Sequence, residues 1–233
     1  ASWTQVAKLT ASDGDAYDYF GCAAAIAGDR LVVGASGNDN EKGVEAGALY
    51  FFDWNGSAWT QSLKWMAPDG SQFDCIGSAV AMEGNRAAAG VLYDKLLGTS
   101  FGSAYILDVS GGTWEKKAKL MASDRTSDDN FGIGVALSGS NVLVGASGAD
   151  GVTVNTGAAY LYDLSVWPSN SPPVASNQVY SLIAGAQMTI DLTLYDPDGD
   201  ALDFTLMSGP SNGTLTASAD ADGEFYTPWR YYY

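Results

Sequence analysis

The sequence predicts an all-β chain, three tandem four-stranded repeats followed by a small β-sandwich, and three observations carry that prediction. A block of about 55 residues recurs three times in register; 28 glycines and 12% aromatic residues suit short strands joined by tight turns; and alternating apolar and polar runs resume after a proline-rich joint. A chain of 233 residues can bury a sizeable core without metals or cross-links.

The repeat comes first because it organises everything else. Trp3, Trp59 and Trp114 each stand five residues before a lysine (Lys8, Lys64, Lys119) and 17 before an apolar residue followed by glycine: Phe20-Gly21, Ile76-Gly77 and Phe131-Gly132. A second glycine follows thirteen residues later, at Gly34, Gly90 and Gly145, and a third (Gly47, Gly102, Gly157) opens an aromatic-rich run that reaches Asp53, Asp108 or Asp163 six residues on. Within the second copy the runs 77–82, 86–91, 102–108 and 114–120 read as four strands. Four short antiparallel strands describe a propeller blade. Small residues in the first two strands (Ala23 to Ala25, Ala79, Ala81, Ala87 to Ala89) fit the crowded inner part, and Tyr50, Phe51, Tyr105, Tyr160 and Tyr162 fit the wider gap further out. Three blades are thus expected over residues 1–166.

Phe20-Gly21, Leu31-Val32-Val33-Gly34-Ala35 and Gly47-Ala48-Leu49-Tyr50-Phe51-Phe52 resemble the FG-GAP repeat of integrin α-subunit propellers and of many microbial surface proteins. The third copy matches through Phe131-Gly132, Val142-Leu143-Val144-Gly145-Ala146 and Gly157-Ala158-Ala159-Tyr160; the second is degenerate, with Ile76 for Phe and Gly90-Val91 for Gly-Ala. The resemblance implies an extracellular interaction propeller. Calcium-binding integrin blades carry an Asp-rich loop between their first two strands, whereas the connections here, 27–30, 83–86 and 138–141, are too short to surround a cation that needs six to eight oxygens.

Acidic residues cluster instead before each first strand. Asp13, Asp15 and Asp18, like Asp124, Asp128 and Asp129, have spacing compatible with calcium, but a solvated turn is the preferred reading, with Asp69 and Asp74 pointing to a shared role such as accepting backbone N–H bonds. Cys22 and Cys75 fall at the start of first strands in successive repeats and are expected to form one disulfide, two free thiols being the alternative. Asn55 and Asn212 begin Asn-x-Ser/Thr sequons in turn-like sequence.

A proline-rich joint at 167–174 separates the repeats from a module at 175–233, in which the runs 187–194, 202–207, 213–217 and 224–227 suggest a β-sandwich. The stretch Asp196-Pro197-Asp198-Gly199-Asp200, with Gly209-Pro210-Ser211-Asn212-Gly213 and Phe225-Tyr226-Thr227-Pro228, resembles the cadherin-like or Ig-like repeats of microbial adhesins. That resemblance implies a stalk module in which Asp196, Asp198 and Asp200 hold calcium; a charged hairpin turn without metal is the even alternative. The pattern normally runs on into one more strand, so a module ending at Tyr231, Tyr232 and Tyr233 is expected to be incomplete.

Propellers typically close with four to eight blades. The run from Trp3 to Leu9 is a fourth-strand sequence with no blade before it, while the third repeat lacks a fourth strand of its own. Together with Tyr231–Tyr233, these ends are the expected assembly elements, whether through a ring, a fibre or a longer chain.

Composition narrows the function. With 11 basic against 27 acidic residues, a net charge of −16 opposes nucleic-acid binding. No run of 18 apolar residues spans a membrane, and Ala1 reads as a processed, secreted start. The absence of histidine removes Ser-His and Cys-His nucleophile systems, and no phosphate loop occurs, so no catalytic residues are assigned. The expectation is an extracellular structural or adhesive protein whose main partner is itself. The alternative is a receptor head that binds glycan or protein through loops carrying Trp54, Trp59 and Trp65, and a carboxylate hydrolase comes third.

Overall fold

Strands begin where the repeat's apolar–glycine pair stands. The computed structural model describes residues 2–96, 99–110, 112–151 and 153–165, together with five short strands beyond them. Gly21, Gly77 and Gly132 take φ of 93°, 86° and 93°, a conformation costly for any other residue, and each sits at a register shift at the head of its first strand. The bulge bends the strand locally, and beyond it regular antiparallel pairing with the second strand resumes.

The first blade is an antiparallel sheet of β1 (Phe20–Ala27), β2 (Arg30–Ala35), β3 (Ala48–Trp54) and β4 (Trp59–Trp65) in sequential order. The second contains β5 (Ile76–Glu83), β6 (Arg86–Val91), a small hairpin β7 (Lys95–Leu96) and β8 (Thr99–Ser100), then β9 (Ser103–Ser110) and β10 (Thr113–Leu120), with β5-β6-β9-β10 as the sheet. The third shows, among the described residues, β11 (Phe131–Ser138), β12 (Asn141–Ala146) and β13 (Ala158–Asp163). Among the described residues no helix is long and apolar enough to cross a membrane.

Alternation along each strand presents one set of side chains to the preceding blade and one to the next. Val32, Leu49 and Phe51 of the first blade meet Ala87, Ala89, Val91, Tyr105 and Leu107 of the second. Ala88, Ala104 and Ile106 in turn meet Phe131, Val142, Val144 and Tyr160 of the third. The seams are close because glycine lies on glycine: Gly34 packs on Gly77, and Gly90 on Gly132. Backbone bonds stitch the same seams, Ile76 N–H to Ala46 O (3.1 Å) and Phe131 N–H to Phe101 O (3.2 Å). On the leading side of blade one, Leu31, Val33, Tyr50 and Phe52 are covered by Leu9 and Ala11.

The chain divides into two compact units, Ala1–Trp167 and Pro168–Tyr233. In the second, β14 (Val174–Ala175) pairs with β16 (Leu194–Tyr195), while β15 (Thr189–Ile190), β17 (Ala217–Ser218) and β18 (Arg230–Tyr232) form a sheet with β18 in the middle. Of the last tyrosines, for which an assembly role is expected, Tyr231 is paired on both sides, with Ile190 and Ala217, and Tyr232 with Thr189, so the backbone at Tyr231 is no open edge. Tyr233, Asn212 and the stretch Asp196, Asp198, Asp200 lie outside the described residues.

Candidate assembly interface

The acidic loops prove to be the structural hinges of each blade. Asp18, Asp74 and Asp129 are buried and accept a backbone N–H three residues back, from Asp15 (2.9 Å), Ser71 (2.7 Å) and Thr126 (2.6 Å). Such turns fix the chain just before each first strand.

The preceding acid of each loop builds a second feature. Asp13 accepts from the Tyr50 hydroxyl at 3.0 Å and from Lys64 Nζ at 2.8 Å; Asp69 accepts from Tyr105 at 2.7 Å and Lys119 at 2.9 Å. Each lysine comes from the fourth strand and reaches over the ring of the tyrosine opposite it in register, at 5.5 Å and 5.2 Å from the centroid. Loop, third strand and fourth strand are thereby clamped together. The lysine hydrogen bond holds the Asp13 carboxyl below its usual range against the opposing effect of burial. Burial would lift Asp69, but the charge of Lys119 and the bond from Tyr105 bring it below the ordinary value. Burial would lower Lys119, and Asp94 and Asp69 outweigh it.

In the third blade the clamp lacks its cation. Tyr160 lies beside the equivalent acid, Asp124, and burial, followed by that carboxyl, raises its hydroxyl pKa. No lysine or arginine pairs with Asp124 among the described residues. Among the described residues the third blade has no fourth strand, so the outer edge of β13 has no partner among them. Its trailing face is bare: Leu161 is 69% exposed, where the equivalent Phe51 and Ile106 are 1% and 0%, and Ile133 and Leu143 are exposed as well.

The matching element lies at the other end of the same unit. Residues 3–8 adopt no strand, Trp3 is fully exposed, and Lys8 makes no ion pair among the described residues. Leu9 alone is anchored, against the first blade. By contrast Trp114, the repeat equivalent of Trp3, is buried and stacks on Phe51 of the blade before it at 4.3 Å.

One expectation needs correction, the disulfide, and for the first acidic loop the calcium alternative finds no support. Cys22 and Cys75 are free thiols, and the Cys22 thiol donates to Gly77 O at 3.3 Å rather than bonding Cys75. Asp13, Asp15 and Asp18 do not converge on a cation. Asp13 is taken by Lys64 and Tyr50, Asp15 caps the N–H of Ala16, and Asp18 turns inward to Asn38; among the described residues no group of three or more acids or cysteines is placed to hold a metal. Of the sequon positions, Asn55 is exposed on the β3–β4 turn, where its Oδ1 accepts from Ser57 and Ala58. Trp65 is core, whereas Trp54 and Trp59 lie 5.7 Å apart along an open groove closed on one side by Val6 to Leu9.

The model of the FG-GAP repeat matches residues 3–52, 59–107 and 114–162, each match running from the tryptophan to the end of the third strand. This chain belongs to the FG-GAP repeat family. Residues 170–232 match the bacterial Ig domain. Both are non-catalytic binding or structural modules typical of extracellular and surface proteins, which gives this FG-GAP chain an adhesion or binding role. A comparison with curated proteins finds none that matches it.

Proposed function

We propose that this chain is an extracellular structural or adhesive protein that assembles with copies of itself through complementary strands. One observation carries the reading: among the described residues the same unit holds a fourth-strand sequence without a sheet, residues 3–9, and a three-stranded blade without a fourth strand. An unpaired edge flanked by bare apolar side chains is a ready template for strand addition. Light scattering across a concentration series tests it. The expected result is a mass of at least two 24.3 kDa chains, with rings or filaments by electron microscopy; a monomer at every concentration overturns it.

A second reading, a receptor head for glycan or protein, is favoured by the exposed Trp54 and the half-buried Trp59 along the groove. Its signature is a monomer whose tryptophan fluorescence shifts on glycan binding and loses that shift in Trp54→Ala. For the C-terminal module we propose calcium at Asp196, Asp198 and Asp200. Millimolar calcium is then expected to raise its melting temperature, and Asp198→Asn to remove the gain.

A further inference from the structure

We infer that residues 3–9 of a second copy form the fourth strand of the third blade, with Lys8 opposite Tyr160 and its ammonium seated against Asp124. The inference rests on the self-assembly reading and adds the partner segment and its register.

Register follows from the two complete blades, which agree residue for residue. Lys64 opposes Tyr50 and Lys119 opposes Tyr105; Leu63 opposes Phe51 and Ala118 opposes Ile106; the next residue back, Ser62 or Lys117, is skipped by a bulge; Gln61 and Lys116 then oppose Phe52 and Leu107. Applied to the third blade, the rule places Leu9 opposite Ala159, Lys8 opposite Tyr160, Ala7 opposite Leu161 and Gln5 opposite Tyr162, with Val6 in the bulge. The chemistry then closes. Lys8 supplies the cation missing beside Asp124 and Tyr160, completing the clamp already present as Asp13–Tyr50–Lys64 and Asp69–Tyr105–Lys119.

A second, independent observation lies on the blade faces. Gly34 and Gly90 are covered by the backbone of Gly77 and Gly132, but a Cβ on Gly145 would meet nothing nearer than Ile133 Cγ2 at 3.7 Å, and one on Gly21 would meet nothing within 4 Å. Parallel bridges join Gly47 to Ile76 and Gly102 to Phe131. Their third counterpart pairs Gly157 with Phe20. A copy whose strand 3–9 lies on β13 brings its own Phe20-Gly21 toward Gly145 and Gly157, because the same spacing links fourth strand to next blade in both existing seams. Strand and face therefore call for one partner: the leading edge of another copy.

The test uses the full chain in a Cys22→Ser/Cys75→Asn background, which installs residues that the other repeats carry there, Ser78 and Asn130. Under mild oxidation the Ala7→Cys/Leu161→Cys variant is expected to cross-link between chains, and Val6→Cys/Leu161→Cys is not. Lys8→Asp and Asp124→Lys are each expected to weaken association about tenfold or more, and the two together in one chain to restore it. Lys8 is solvent-exposed, so its replacement leaves the fold intact. A cross-link within single chains overturns the inference, because the strand then completes its own blade. Association that is indifferent to both charge reversals and yields no cross-link overturns this register while leaving self-assembly standing. A wild-type chain that never associates overturns both.

Discussion

Replacing Gly90 by alanine adds one methyl group at the tightest point between the second and third blades. Its Cβ would overlap the Gly132 carbonyl oxygen and lie 2.9 Å from the carbonyl carbon, both backbone atoms. Carbon pairs prefer about 3.5–4.0 Å, so the blades must part by at least about 0.6 Å, enough to forfeit a quarter or more of each dispersion contact across the seam. Overpacking of this kind costs about 1–3 kcal/mol, or about 2–12 °C of melting temperature for a unit of this size. Gly34→Ala repeats the experiment at the first seam, where the Gly77 carbonyl carbon is also 2.9 Å away. Gly145→Ala is the contrast: its Cβ meets only Ile133 Cγ2, at 3.7 Å, and the strand gains up to about 1 kcal/mol from reduced unfolded-state freedom. Thermal melts of dilute protein, with association followed separately, make the comparison. Gly90→Ala melting with the wild type would refute the seam geometry. A monomeric Gly145→Ala that loses as much as Gly90→Ala would show that something already covers the third blade.

Three further outcomes follow from side-chain environments. Burial, and then the neighbouring Asp94 carboxylate, raise Asp74 from 3.8 to about 7. A carboxyl raised on folding favours the folded state below its unfolded value and loses that contribution as pH climbs toward 7, so melting temperature should fall between pH 4 and 8 by the equivalent of at most about 4 kcal/mol, and Asp74→Asn should flatten the profile. Lys119→Met strands Asp69 and Asp94 in a site where the lysine is 10% exposed, and should cost about 3 kcal/mol in urea denaturation; Lys64→Met, whose partner Asp13 is 47% exposed, should cost about 1 kcal/mol or less. Equal costs would contradict the difference in burial. Thiol titration of unreduced protein should find both cysteines free, with Cys75 reacting slowly because burial, Glu45 and Asp74 raise it to about 11.

Repeat spacing made the blades legible, because Phe20-Gly21, Gly34 and Gly47 mark positions where backbone geometry tolerates only glycine or where one blade touches the next. Spacing also hid a contact. The lysine five residues after each tryptophan, the tyrosine three after the third glycine and the acid seven before the phenylalanine were all visible as periodic, yet only the fold brings Lys119, Tyr105 and Asp69 within hydrogen-bonding reach across 50 residues of sequence. Periodicity shows that a residue matters to every blade; it carries no information about its partner. The disulfide expectation failed for the related reason that repeat phase brings Cys22 and Cys75 to one seam without fixing their bonding partners: Cys22 donates to the Gly77 carbonyl instead.

The asymmetry between the two ends of the arc decides what kind of assembly the proposed seam can make. The leading end keeps Leu31 and Val33 under Leu9 and Ala11 but leaves Gly21 and residues 3–8 uncovered, whereas the trailing face exposes Leu161, Leu143 and Ile133. The two ends are unlike, so each complements the other rather than itself, and the contact is head to tail. Contacts of that type close into a ring when the rotation per chain divides a full turn, and otherwise run on as a filament. If two units of three blades join through both seams they make six blades, inside the range of closed propellers, and such a ring leaves neither seam open. The same strand exchange therefore predicts a dimer that does not grow with concentration, and growth into filaments would mean that the arc's curvature departs from that of a half ring.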